Sequence, residues 1–423
     1  MPLLRCLAAL AAFAALLCSQ TAANYDEAKV GTYTLPDPLR FADGRPVLTA
    51  KDWTNKRRPE IIQLFEENQF GRSPGRPEGM RFDVSEKETP VFEGKGIRKQ
   101  ITIRFAPDES GPKMDLLLYL PARTETPVPV LLNISFTANS ATVDDPGVKE
   151  GLIWGKNKTR VPAKEGFALP KVDVPSLLNA SFGFATVYYG DIEPDFEGGR
   201  QYGVRSLYLK PGQATPADTW GAIGAWGWGL SRILDYLQTE RNVDSSRVAL
   251  FGASRLGKAA LWAGASDTRF AAVIACCSGE GGASISRRDY GETVANLNSH
   301  FPYWFCANYA KFAHNVDQLP VDANMLLALM APRPLLLQTG DKDLWGDPKG
   351  EFLAAVDAGR VYRLLGKQDL GTSVWPPAGT PILQTLGYYM HAGGHGPLPA
   401  DWNIFLTFLR MHLQPGSSTL PNS

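Results

Sequence analysis

An α/β fold built on a doubly wound, mostly parallel sheet is predicted by three features of this sequence. Short continuous apolar runs at Val128 to Phe136, Phe182 to Tyr189, Phe270 to Cys276 and Pro334 to Gln338 have the length and character of strands buried on both faces. Helical patterns alternate with them, as at Ile223, Trp226, Leu230, Ile233, Leu234 and Leu237, spaced three or four apart, and in the closing amphipathic segment Trp402 to Leu413. Between the two kinds lies Val248-Ala-Leu-Phe-Gly252-Ala-Ser254-Arg-Leu-Gly257-Lys258, where an apolar run stops at a glycine and an Ala/Leu-rich helix begins at once.

Taken in order, the chain of 423 residues suits one large α/β domain with extensions. Lysines and arginines number 43, as do aspartates and glutamates, which leaves no electrostatic footprint for nucleic acid or an anionic membrane. Residues 1–23 read as a secretory signal: Arg5 supplies the basic start, Leu7 to Leu17 is unbroken and apolar, and Thr21-Ala22-Ala23 offers small residues for cleavage. The apolar run is too short to span a bilayer, so the protein is expected outside the cell or in the periplasm, free of the membrane once the signal is removed. Of the cysteines beyond that signal, Cys276, Cys277 and Cys306 are read as small buried apolar side chains.

The mature domain is expected over 24–413. Within it, 24–88 is a proline-punctuated extension wrapped over the core around one helix, Arg58 to Asn68. Strands are expected at Gly96 to Phe105 and Met114 to Leu120, ahead of the buried runs already named. Residues 137–181 and 190–218, rich in Asn, Asp, Gly and Pro, read as long loops over the carboxyl edge of the sheet, where loops of that size build substrate sites. A last short strand is expected at Leu386 to Met390, and 414–423 as a disordered tail.

The turn at Ser254 carries the chemistry. A serine hydroxyl is a weak nucleophile, and a tight strand-to-helix turn exposes it to a base while the helix N-terminus favours developing negative charge. The spacing here is Gly252-x-Ser254-x-x-Gly257, with cations at Arg255 and Lys258, instead of G-x-S-x-G. In an α/β-hydrolase the partners follow in the order acid, then histidine. Of five histidines, His391 and His395 lie in the loop after the last strand, and His395, between Gly394 and Gly396, has the freedom to turn inward. For the acid, Asp343 follows a buried strand at G-x-x-D spacing from Gly340, with Asp341 and Asp347 as turn residues. Glu280, on the loop after the preceding strand, is the alternative acid.

These residues together resemble the glucuronoyl esterases of carbohydrate esterase family 15, in their bacterial branch. The resemblance rests on Gly252-Ala-Ser254-Arg255-Leu-Gly257-Lys258, the Ser278-Gly-Glu280-Gly-Gly loop, Arg287-Arg288 with Glu292, Asp343-Leu344-Trp345, and Gly394-His395-Gly396. It implies an α/β-hydrolase fold with Ser254 as nucleophile, His395 as base, Arg255 as oxyanion stabiliser, and Lys258, Glu292 and Trp345 as contacts for the sugar ring. Two departures stand out. Cys277 occupies the family's usual acid position, at the end of the strand after the elbow, which directs the acid assignment to Asp343. Ala253 stands where fungal members carry a disulfide-bonded cysteine.

The expectation is therefore a secreted serine esterase, acting as a monomer, that hydrolyses the ester between glucuronic acid of xylan and an alcohol such as lignin through an acyl-enzyme. In such an ester the sugar is the acyl side, so its hydroxyls sit beside the reacting carbon and need polar partners near the elbow. No cofactor and no metal are implied, since metal-ligand and phosphate-binding motifs are absent from the sequence. An acetyl xylan esterase, and a carbohydrate-binding protein on an inactive hydrolase fold, are the alternative readings.

Overall fold

The computed structural model describes residues 23–165, 170–210 and 212–414; of the expected signal over 1–23 and tail over 414–423, residues 1–22 and 415–423 lie outside them. Eleven strands occur among the described residues: β1 (Arg81–Val91), β2 (Gly96–Arg104), β3 (Lys113–Pro121), β4 (Val128–Ser135), β5 (Leu152–Trp154), β6 (Arg160–Pro162), β7 (Gly183–Tyr188), β8 (Val243–Ala253), β9 (Ala272–Cys276), β10 (Leu335–Gly340) and β11 (Leu386–His391). Nine form one sheet in the order β1-β2-β3-β7-β4-β8-β9-β10-β11, and β5 pairs with β6 separately. The block from β7 to β11 is parallel throughout, and β1, β2 and β3 extend it in antiparallel fashion.

Both faces of the sheet are covered, as the continuous apolar runs require. Along β3, Leu116, Leu118 and Leu120 face one core while Leu117 and Tyr119 face the other. The first core is closed by α1 (Arg58–Asn68), α2 (Ala222–Leu237), α3 (Arg255–Ser266) and α5 (Pro348–Leu364), with α4 (Val294–His300) at its edge. The second is closed by the short helix Val174–Asn179 and by α6 (Asp401–Leu413). Among the described residues no helix is long and apolar enough to cross a membrane.

Two elements differ from the sequence reading. Residues 81–88, expected within the wrapping extension, form most of the edge strand β1; its half-exposed, charged side chains give no apolar run to read. Helix α2 is buried on every side instead of on one face. Its glycines permit that: a Cβ on Gly229 would fall 2.6 Å from Ile192, and one on Gly227 would meet the Ala259 carbonyl of α3 at 3.3 Å. The segment before β1 packs against α3. Phe65 and Phe70 pack on Trp262 of α3, the latter stacked at 4.5 Å, so the extension braces the elbow helix from behind. Cys276, Cys277 and Cys306 are buried free thiols.

Candidate active site

Strand β8 ends at Ala253 and α3 starts at Arg255, which leaves Ser254 alone to make the turn. It does so at φ 57° and ψ −130°, a conformation that costs a non-glycine residue of order 1–3 kcal/mol and must be enforced by its surroundings. Three features enforce it. The Ser254 N–H donates to the Cys276 carbonyl at 2.8 Å, tying the turn to the end of β9. The Gly257 N–H closes back on the Ser254 carbonyl at 2.8 Å. Gly252 admits no side chain, since a Cβ there would fall 2.2 Å from the Leu256 carbonyl oxygen. Ser254 thereby stands at the N-terminus of α3, the end of a helix that favours negative charge.

The histidine arrives from the loop after β11. His395 is half exposed, and its Nδ1–H donates to Asp343 Oδ2 at 2.7 Å; Asp343 itself is buried. Asp343 is set three residues beyond the end of β10 by a turn in which its own N–H donates to Gly340 O and its carbonyl accepts from the Gly346 N–H. Gly346 must be small there, because a Cβ would lie 2.9 Å from Asp343 Oδ2. Ser254 and His395 line one cavity of about 560 Å³, although among the described residues no hydrogen bond joins them in this state. Such bonds are often long until substrate closes them.

The other sequence candidates separate by environment. His391 is buried, pairs with Asp401 Oδ2 at 2.7 Å, and has Nε2 3.0 Å from the Gly394 carbonyl, so it pins the loop that carries His395. Glu280 is also buried, accepts from Ser286 Oγ at 2.6 Å and Tyr309 at 3.2 Å, and makes no contact with His395. Burial pushes its carboxyl up to about 8. Lys258, in the first turn of α3, is buried, with Nζ donating to the Ser278 carbonyl at 2.6 Å. Desolvation draws its pKa down, opposed by the charges of Glu292 and Glu280. The Glu292 N–H docks on the Trp345 carbonyl at 2.9 Å, and the Trp345 side chain is exposed beside it. Lys258, Glu292 and Trp345 thus gather on the β9–β10 side of Ser254.

Arg255 is held by residues the sequence did not single out. Its Nη1 pairs with Asp195, and its guanidinium lies 4.6 Å from the Trp304 ring and 5.3 Å from Phe301. Asp195 accepts in turn from Trp304 Nε1 at 2.7 Å, Tyr303 at 3.0 Å and Tyr189 at 3.2 Å. The guanidinium is therefore fixed in plane and direction, with Nε buried and unpartnered.

A parallel sheet whose carboxyl edge carries a strained serine turn and a buried-acid histidine pair defines the class: an α/β-hydrolase. A family model described as glucuronyl esterase, fungi, matches residues 214–366. The solved glucuronoyl esterase from Solibacter usitatus is 45% identical, covers 91% of this chain and 100% of its own, and superposes with a TM-score of 0.86. A promiscuous CE15 esterase from a marine bacterial metagenome is 41% identical over 92% of this chain and 100% of its own, with a TM-score of 0.85. The 4-O-methyl-glucuronoyl methylesterase of Schizophyllum commune is 29% identical over 86% of this chain and 82% of its own. The chain belongs to the glucuronoyl esterases of carbohydrate esterase family 15, which are carboxylic ester hydrolases.

Proposed function

We propose that this enzyme is exported and hydrolyses the ester between the carboxyl group of a 4-O-methyl-glucuronic acid on xylan and an alcohol such as lignin. The observation that carries the reading is the 2.7 Å bond from His395 Nδ1 to the buried Asp343 carboxylate, beside a serine held at positive φ on the same cavity wall. Ser254 Oγ attacks the ester carbonyl and passes its proton to His395 Nε2. Asp343 fixes the tautomer that leaves Nε2 free and stabilises the imidazolium that forms. The oxyanion is met by Arg255, pre-aimed by Asp195 and the aromatic faces, and by the N-terminus of α3. The imidazolium then protonates the departing alcohol, and water, activated by the same histidine, releases the acid.

The sides of the ester follow from the elements around β8. Lys258, Glu292 and Trp345, on the β9–β10 side, receive the glucuronate ring. The cavity on the β4 side, walled by Phe136, Val172, Leu177 and Trp402, receives the alcohol, and its apolar lining favours a bulky aromatic one. The names of fungal relatives as 4-O-methyl-glucuronoyl methylesterases support the acyl side of this assignment. Hydrolysis of benzyl glucuronate, an acetylated xylose and free glucuronate as inhibitor are compared in one kinetic series. We expect kcat/KM to favour the benzyl ester and glucuronate to compete; preference for the acetyl ester would refute the reading.

A further inference from the structure

Cys277 has no part in the reaction as proposed, yet its thiol stands beside two groups that do. One ligand atom each from Cys277, Asp343 and His395 lies within 4.8 Å of the other two. The trio is held in place by the backbone: Cys277 Sγ accepts the Gly396 N–H at 3.2 Å, and the Cys277 N–H donates to the Gln338 carbonyl at 2.6 Å. Cys277 and Asp343 form a buried floor, while the half-exposed His395 forms the wall through which an ion can enter.

Thiolate, imidazole and carboxylate are the donors of a tetrahedral, borderline-soft ion, with bonds of about 2.3, 2.0 and 2.0–2.2 Å. Those lengths set neighbouring ligand atoms roughly 3.3–3.6 Å apart, so His395 and Asp343 need to separate only slightly from the 2.7 Å of their bond, with Cys277 Sγ already within 4.8 Å of both. Calcium and magnesium, which take six or more oxygens, do not suit this set. We propose that Cys277, Asp343 and His395 form a three-ligand site for a Zn²⁺- or Cd²⁺-class ion whose occupation reversibly shuts off the esterase. On binding, the Cys277 thiol loses its proton to solvent. The His395 Nδ1 lone pair goes to the metal, and the proton it carried moves to Nε2. Thiolate and carboxylate balance the ion's two charges, and one proton per ion is released. With Nε2 protonated, the imidazole has no lone pair left to accept the Ser254 proton. The fourth position, toward the cavity, is open to water.

The test uses the full enzyme, with Co²⁺ as optical probe and Zn²⁺ as inhibitor. Co²⁺ is expected to raise a thiolate-to-metal charge-transfer absorption that Cys277→Ser and Cys277→Ala abolish and Cys276→Ser keeps. Zn²⁺ is expected to inhibit benzyl glucuronate hydrolysis reversibly with EDTA, and its half-inhibiting concentration is expected to rise at least about tenfold in either Cys277 variant, as loss of one ligand weakens metal affinity. The inhibition arm rests on His395 as base, whereas the optical arm does not. An absorption band without inhibition would overturn the shut-off, while turnover of His395→Ala tests the base assignment separately. Inhibition unchanged in both Cys277 variants, or no band in the wild type, would overturn the site.

Discussion

Replacing Asp343 by asparagine isolates what the carboxylate charge does for His395. At 2.7 Å and an effective dielectric constant of about 20, an imidazolium–carboxylate pair is worth roughly 6 kcal/mol. At 1.36 kcal/mol per tenfold, that corresponds to about 10⁴ in rate, the size of loss known for a triad whose acid is neutralised. The His395 side chain is 50% exposed, so water takes over part of the stabilisation. We therefore expect kcat of Asp343→Asn to fall about 10²- to 10³-fold while KM changes little, because the lost interaction belongs to the transition state. Steady-state hydrolysis of benzyl glucuronate, with thermal unfolding of the same preparations, provides the measurement. Glu280→Gln is the control. Its carboxyl meets Ser286 and Tyr309, not the histidine, so its turnover is expected to fall much less. A larger kcat loss in Glu280→Gln than in Asp343→Asn, at equal stability, would refute the reasoning.

Further outcomes follow from neighbouring contacts. His395→Ala is expected to lose turnover with little change in melting temperature, whereas His391→Ala removes one of two bonds to buried Asp401 Oδ2, leaving that of the Leu398 N–H, at a cost of about 1–3 kcal/mol, and is read chiefly in thermal unfolding. Gly340→Ala would place a Cβ 2.2 Å from the Gly394 carbonyl oxygen, so it should displace the His395 loop and lower kcat more than stability, by parallel kinetics and melting. Arg255→Ala is expected to lower kcat about 10²- to 10³-fold. Asp195→Asn should lower it less, and a double-mutant cycle should show the two losses to be non-additive, because Asp195 acts through the guanidinium. Burial raises the Glu280 and Glu351 carboxyls from 4.5 to about 8, so each is protonated when folded and ionised when unfolded between those values. Their contribution to stability is complete below about pH 4.5 and is lost as pH rises through about 8, at about 1.4 kcal/mol per pH unit for each group. Denaturant unfolding of Glu280→Gln across that range should show a shallower decline than wild type. Lys258, whose pKa shifts downward, is common to both proteins in that comparison.

What the sequence disclosed was local. The buried strands were legible because each is a continuous apolar run, α1 because its pattern fits Arg58–Asn68, and the elbow because its flanking glycines are required by backbone contacts a few residues away. The cage around Arg255 was not legible. Asp195 lies 60 residues before the arginine it holds, and Trp304 lies 109 residues beyond Asp195, so no spacing or periodicity links them. Asp195 sits in a loop dense in turn residues, where an aspartate reads as local. The one available signal was the aromatic density at Phe301-Pro-Tyr303-Trp304-Phe305, which a surface loop rarely carries without a packing partner. In α2 the glycines at 224, 227 and 229 carried a signal that the apolar spacing masked: a helix with glycine on several sides is one that neighbours approach from several sides.

The same geometry explains how a carboxylate can reach His395 from Asp343 when Cys277 holds the position the family resemblance gives to the acid. Strands β9 and β10 are parallel neighbours in register, Cys276 opposite Gln338, so their carboxyl ends open on one point of the sheet edge. Cys277 leaves β9 at φ 44° with its N–H on the Gln338 carbonyl, which turns its side chain into the space that the loop after β10 also enters. A carboxylate at 343 and a side chain at 277 therefore compete for the same neighbourhood of Nδ1, as their ligand atoms within 4.8 Å demonstrate. Two ionised carboxylates there would repel each other over that distance and one would be driven to hold a proton. A thiol avoids the conflict. Burial and the nearby Glu351 and Asp343 carboxylates hold the Cys277 thiol in its neutral form, so it fills the space without adding charge. The acid can change strands while the histidine loop, fixed by His391 and Asp401, stays where it is.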